Sequence, residues 1–480
     1  MLFSSIVFIF YFLPVLLLFY YAAGLRTAVL LAGSVVFYTW GEGAYVFLLA
    51  ALIGINFALG RAIHASEGSR RAWLTALAIV IDLGVLGWFK YGGFIAQNLN
   101  HLLHLQLPVV HLRLPLGISF FTFQLISYLI DIKRDAIRPE PNLMRFATYI
   151  LMFPHLIAGP IVRYADIRDE LRERHFSIDR TGLGVQYFIV GLCQKVLIAN
   201  TLAPIADHFF GLAPEQLGAA TGWLGVLAYT LQIYFDFCGY SNMAIGLAFL
   251  LGFTFPKNFD YPYAAQSITE FWRRWHMSLS FWFRDYVYIS LGGNRDGRWR
   301  TYRNLVIVFF LTGLWHGAAW NFIVWGLYHG AFLLLERMGL SRVLDRIGAL
   351  PRHAYVLLVV MLGWVFFRAV DLSHAMQIIA QLFGRGARAA MPDSMPLPLL
   401  LTPEAIAALV LGCLFSFPLL PKLLDALRQP RIARSAQIGE ARLDTVYVHA
   451  LPIVVLLVGF VLCIALLVGN SLNPFLYFRF

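Results

Sequence analysis

Apolar runs long enough to cross a bilayer recur along the whole chain, and that recurrence restricts its fold more than any single motif does. About 20 residues of helix traverse the hydrocarbon core. Runs of that order occupy residues 2–23, 44–60, 73–88, 183–202, 222–237, 305–320, 355–367, 397–417 and 448–469. Shorter or aromatic-rich runs lie at 29–40, 115–130, 146–162, 244–255 and 321–335. In hydrocarbon every backbone N–H and C=O must be bonded within the protein, so the chain is predicted to be an all-α polytopic membrane protein. Counting runs against the spanning length gives roughly 11 to 13 membrane segments. Where Gly, Pro or a charge breaks a run, a re-entrant or interfacial helix is expected.

The composition fits a bilayer. Hydrophobic residues are 60% of the 480 and charged residues 13%, about half the charged share of a soluble globular chain. The first run has no basic segment before it and exceeds the roughly 7–15 apolar residues of a secretory leader. It is expected to remain as a span, with its uncharged start facing outward. The net charge is +11, concentrated at residues 61–71, 133–145, 273–303, 337–352 and 422–442. Basic loops are retained on the cytoplasmic side, so these clusters read as cytoplasmic connections and call for no nucleic-acid partner. The loop at 101–111 carries histidines but no Lys or Arg and is placed outside. Cys193, Cys238, Cys413 and Cys463 sit in or beside apolar runs with no CxxC pair, which suggests neither a disulfide framework nor a zinc site. There is no long linker, and no repeat of roughly 20–50 residues. Residues 1–480 therefore read as one membrane-embedded domain, with polar interruptions at 164–180, 384–396 and 421–443.

One segment departs from the spanning pattern. Residues 266–293 read QSITEFWRRWHMSLSFWFRDYVYISLGG. Ser267 and Glu270 form an S-x-x-E capping box, which predicts a helix start. Ile268, Phe271, Trp272, Trp275, Leu279, Trp282, Phe283, Tyr286 and Ile289 recur with the helical period. Arg273, Arg274, Ser278 and Arg284 lie off that stripe. The expectation is one amphipathic helix, lying in the membrane interface or walling a polar cavity, with His276 at the edge of its apolar stripe.

Ionisable groups inside apolar runs are costly and are functional candidates by default. Here they are Lys90, Asp131, Lys195, Asp236, His316, His329 and Arg368. His316 stands out, deep in an apolar run and flanked by Gly313, Gly317, Ala318 and Ala319. Small neighbours let a ligand or another helix come close. A desolvated imidazole tends to stay neutral, the form a general base needs. The alternative is a hydrogen-bonded structural histidine, and the residues alone weigh the two evenly. On an unbroken helix, steps of about 100° carry His329 well round from His316, so packing or a supporting hydrogen bond is expected of it. His276 is open between a place on a reaction path and an interfacial one. Asp236 needs a partner, such as Tyr240, Ser241 or a basic group from another helix, and a structural pair is at least as well supported as catalysis. Lys195 and Asp131 share that ambiguity. Lys90 and Arg368 lie near segment ends, where they can snorkel. The chain has no P-loop, GxSxG, HExxH or dinucleotide-binding glycine motif.

Seven blocks resemble, in wording and order, those of bacterial membrane-bound O-acyltransferases. They are FKYGGF at 89–94, LPLGISFFTFQLISYLID at 114–131, FPHLIAGPIVR at 153–163, YFDFCGYSNMAIG at 234–246, SITEFWRRWHMSLSFWFRDYVYISLGGNR at 267–295, GLWHGAAWNFIVWGLYHG at 313–330 and WVFFRA at 364–369. The likeness covers about residues 37–384. YISLGGNR and SITEFWRRWH are most similar to the alginate O-acetyltransferase branch. Cys238 and Asn242 stand where that pattern has serine and aspartate.

The resemblance implies a many-helix fold around a central tunnel, with further membrane segments at 397–470. It implies that His316 is the catalytic histidine and that His276 lies in the reaction chamber. Asp236, Tyr240, Ser241, Arg273, Arg274, Trp315 and Asn321 are the candidate tunnel or supporting residues. The implied donor is a cytosolic acetyl thioester, most simply acetyl-CoA, with no bound cofactor or metal. The implied setting is the bacterial inner membrane, with a periplasmic acetyltransferase partner and the machinery of an exported polysaccharide: alginate-, cellulose- or peptidoglycan-like. Arg273, Arg274, Arg295, Arg298 and Arg300 could attract the donor's phosphates, although topology alone accounts for them more simply. Two other classes stay open. One is acyl transfer to a protein or lipid. The other is a transporter using His316, Asp236 and Lys195 as a proton relay, which calls for inverted repeats and paired broken helices that the sequence does not display.

Overall fold

The computed structural model describes residues 1–110, 112–213, 216–385, 397–419 and 453–469. Among these, helices and turns account for the regular structure and no strand occurs. Five helices are long and apolar enough to cross a membrane: Tyr45–His64, Gly68–Leu103, Ile178–Gly211, Ala219–Leu250 and Ala349–Arg368. Phe8–Ala22, Pro403–Phe415 and Ile453–Gly469 are shorter apolar helices. The chain is thus an all-α, multi-pass membrane protein. Local chemistry sets several boundaries. Thr402 caps the Pro403–Phe415 helix by accepting from the Ala405 N–H, and proline in the first turn loses no helical bond. Of the expected polar interruptions, 421–443 and all but the first two residues of 384–396 lie outside the described residues.

The chain divides into two compact units. The first comprises residues 1–181, 247–256 and 281–287. Its centre is the Ile118–Lys133 helix, buried on nearly every side. Gly117 opens that helix at φ 77°, and a Cβ there would strike the Leu156 carbonyl oxygen. Asp131 accepts from the Tyr286 hydroxyl at 2.8 Å. Trp282 donates its indole N–H to the Phe123 carbonyl at 3.0 Å and stacks on the Phe123 ring at 3.8 Å. Lys90 reaches the Ser119 hydroxyl at 3.3 Å.

The second unit comprises residues 182–246, 257–280 and 288–480. Two seams of glycine organise it. In the first, Gly184 and Gly191 face Gly246 and Gly239 on the Ala219–Leu250 helix. A Cβ on Gly239 would come within 2.6 Å of the Gly191 carbonyl oxygen, and one on Gly246 within 2.5 Å of that of Gly184. Small residues let membrane helices approach to backbone contact. A π-helical turn, Gln194–Asn200, follows this seam and brings the Lys195 ammonium to 2.5 Å from the Asp236 carboxylate. The second seam joins Arg298–His316 to Trp320–Leu335. A Cβ on Gly313 would strike the Phe322 carbonyl oxygen, and one on Gly326 that of Phe309. At Gly313, then, the room is taken by another helix.

Candidate active site

The 266–293 segment starts as its capping box predicts. Ser267 Oγ accepts from the Glu270 N–H at 3.0 Å, and the helix runs Ile268–Arg274. The Glu270 carboxylate reaches back to the Gln266 N–H at 2.8 Å rather than to that of Ser267. A second cap comes from far along the chain. The buried Glu336 carboxylate accepts from the N–H groups of Ile268 (2.6 Å) and Thr269 (2.9 Å) and from the Thr269 hydroxyl (2.6 Å). The single amphipathic helix expected from the periodicity is not formed. The helix stops at Trp275, His276 adopts φ 44°, and a new helix, Met277–Trp282, runs into a π-helical turn at Phe283–Tyr288. The reason is competition for backbone bonds. The Asp260 N–H donates to the Arg274 carbonyl and the Met277 N–H to the Asn258 carbonyl, both at 2.9 Å, so the break is tied to the non-helical 257–261 stretch. Both pieces still bury the aromatic residues of the stripe, Phe271, Trp272, Trp275 and Trp282, while Phe281 off the stripe is exposed, so the sequence period survives the break.

The break places His276 in the interior, 1% exposed. Its Nδ1 lies 3.1 Å from Asn258 Oδ1. That oxygen also accepts from the Ser278 N–H at 3.3 Å and the Ser278 hydroxyl at 2.9 Å. The other end of the Asn258 amide donates to Ser241 Oγ at 2.9 Å. Around the imidazole stand the rings of Phe237, edge-on at 4.7 Å, and Trp315 at 6.1 Å. Burial pushes the pKa of His276 down and holds the ring neutral.

His316 is the last residue of the Arg298–His316 helix, and Gly317 turns the chain out of it in extended conformation. Its imidazole is buried against the rings of Trp315 at 4.8 Å, Trp325 at 5.0 Å and Phe367 at 5.2 Å. Trp315 therefore borders both histidines. The helix between His316 and His329 is broken at residues 317–319, so the rotation expected along one unbroken helix does not apply. His329 lies on the Trp320–Leu335 helix, with Trp325 touching both it and His316. Rings of Trp272 and Tyr328 pack on His329, and neither of its nitrogens bonds a described residue. Its surroundings are aromatic.

The remaining candidates separate by surroundings. Asp236 is paired with Lys195, the basic group from another helix. Ser241 joins the Asn258 network, and Tyr240 is buried beside it on the same helix. Asn321 donates to the carbonyls of Phe366 (3.2 Å) and Ala369 (3.0 Å), closing the end of the Ala349–Arg368 helix. Arg274 is bound by Glu270 at 2.7 Å, whereas Arg273 is exposed, as are Arg295, Arg298 and Arg300. Arg368 pairs with Asp207 at 2.7 Å.

The family model described as MBOAT, membrane-bound O-acyltransferase family, matches residues 72–367, which include both histidines and the Asn258 network. The chain belongs to the membrane-bound O-acyltransferase family. It is a membrane-bound O-acyltransferase by that membership. A protein named as a probable alginate O-acetylase from Azotobacter vinelandii is 43% identical, with 100% of each chain covered. One of the same name from Pseudomonas aeruginosa is 46% identical over 80% of this chain and 75% of its own. A peptidoglycan O-acetyltransferase from Helicobacter pylori is 34% identical over 80% of each. Two residues of this acyltransferase escaped the sequence reading. Glu336 was hidden as a single acid after an apolar helix, and Asn258 as a neutral amide among aromatics. The available signal for Asn258 was a polar residue that aromatic burial would oblige to find partners.

Proposed function

We propose that the protein transfers acetyl groups from a cytosolic thioester, acetyl-CoA, for O-acetylation of an exported polysaccharide, working in the inner membrane with a periplasmic acetyltransferase partner. The observation that carries this reading is His316, a buried imidazole at the end of a helix within the matched family region, bordered by the tryptophan that also borders His276. Relatives named for alginate and peptidoglycan O-acetylation support acetyl as the group and a polysaccharide as its destination.

In this reading His316 takes the proton of the attacking hydroxyl as its oxygen bonds to the thioester carbonyl carbon. The tetrahedral intermediate then collapses, the carbon–sulfur bond breaks, and the imidazolium returns the proton to the departing thiolate. The aromatic cage of Trp315, Trp325 and Phe367 keeps water from competing for the acyl carbon. His276 helps to orient the hydroxyl. Arg295, just before the helix that carries His316, and Arg298 and Arg300 in its first turn are exposed and add a favourable field for an anionic donor.

The test compares His316→Ala, His276→Ala and His329→Ala in one acetyl-transfer assay, with monodispersity checked for each. His316→Ala is expected to abolish transfer, His276→Ala to impair it, and His329→Ala to be mild. Near-normal transfer by His316→Ala, with loss in His329→Ala, would move the reaction centre to the other end of the motif.

A further inference from the structure

We infer that Asn258 is a positioning residue that fixes the tautomer of His276, so that the ring presents an unprotonated Nε2 to a substrate hydroxyl. The inference rests on the reading that His276 takes part in transfer.

The chemistry of the network leaves one arrangement. A backbone N–H can only donate, and that of Ser278 points at the Asn258 side chain at 3.3 Å. The atom it meets must be the amide oxygen, so the amide nitrogen faces Ser241 Oγ, 2.9 Å away. The same oxygen lies 3.1 Å from His276 Nδ1. An amide oxygen carries no hydrogen, so the hydrogen of that bond belongs to Nδ1. A neutral imidazole with its hydrogen on Nδ1 has a lone pair on Nε2. Nε2 is buried and bonds none of the described residues. A buried acceptor left open in this way is costly, and it suits a donor that arrives with the substrate.

The main chain of Asn258 acts in the same sense. Its carbonyl accepts from the Met277 N–H at 2.9 Å, clamping the turn in which His276 sits at φ 44°. The edge of the ring packs on Phe237 at 4.7 Å. Tyrosines aside, the ionisable groups on the elements around it are Asp236 and Cys238, Lys257 and Asp260, Glu270, Arg273 and Arg274, and His316 with the three arginines at the far end of its helix. None of them is bonded to the His276 ring, whose one hydrogen-bond partner among the described residues is Asn258.

The test measures acetyl transfer against pH for the full-length protein carrying Asn258→Leu or Asn258→Asp, each with and without His276→Ala. Asn258→Leu should lower kcat about tenfold or more with the KM for donor unchanged, because only orientation is lost. Asn258→Asp keeps the acceptor for Nδ1 and Ser278 and guards against a folding defect in the leucine variant. A carboxylate facing Nδ1 favours imidazolium, so the acid limb of kcat should move up by about one pH unit or more. In the His276→Ala background neither substitution should add a further effect. An unmoved acid limb in Asn258→Asp, or an Asn258→Leu loss of equal size without His276, would reduce Asn258 to a structural hub and overturn the inference. Full activity in His276→Ala alone would instead overturn the underlying reading of His276.

Discussion

Lys195 and Asp236 meet at 2.5 Å with side chains only 2% and 4% exposed, so each depends on the other to be tolerated where it is. Removing one partner strands the other charge. Lys195→Met is expected to destabilise by about 3–5 kcal/mol, whereas Lys195→Met with Asp236→Leu should recover most of the loss. Thermal unfolding in detergent checks this, and a single variant as stable as the parent would contradict it. The sequence marked both residues as ionisable groups in apolar runs, but it could not pair them. The π-helical turn at Gln194–Asn200 sets the face on which Lys195 emerges, and its register is fixed by packing. His316 was legible for a simpler reason: a histidine among glycines in an apolar run stands out by itself. Asn258 was not, because an amide shows its importance only through the partners that gather round it.

Among the helices, two features carry the site. The Ile268–Arg274 helix is capped at its start by Ser267 and Glu336 together. Ser267→Ala should cost about 1 kcal/mol. Glu336→Ala removes a charged acceptor from two backbone donors and should cost about 1.5–3 kcal/mol. Chemical denaturation of the two variants checks the order, and a smaller loss for Glu336→Ala would contradict the cap described here. The glycine seam between Arg298–His316 and Trp320–Leu335 leaves no room for side chains. Gly326→Leu should therefore abolish monodisperse expression, because its side chain would strike the Phe309 backbone; a well-folded Gly326→Leu protein would contradict that packing. The start of the capped helix was legible from the S-x-x-E spacing. Its end at Trp275 was not, since the aromatic period runs on past a break made by backbone bonds from residues 258 and 260.

For the molecule as a whole, hydropathy alone carried the class of the fold, because lipid leaves helices as the way to satisfy so many apolar backbone segments. The division into helices was less legible where short runs merge, as in Gly68–Leu103 and Ala219–Leu250, each longer than one span. Basic loops predict orientation. A cysteine introduced at Arg70 should be labelled by an impermeant reagent only from the cytoplasmic side, and labelling from outside would reverse the assignment. We propose that this membrane acyltransferase draws acetyl from a thioester at His316. The direct measurement is release of free coenzyme A from acetyl-CoA by the purified protein in lipid vesicles, supplied with acceptor, with His316→Ala prepared in parallel and matched for folding. Release coupled to acetylated acceptor is expected in the parent and background release in His316→Ala; equal release by the two proteins would place the reaction elsewhere.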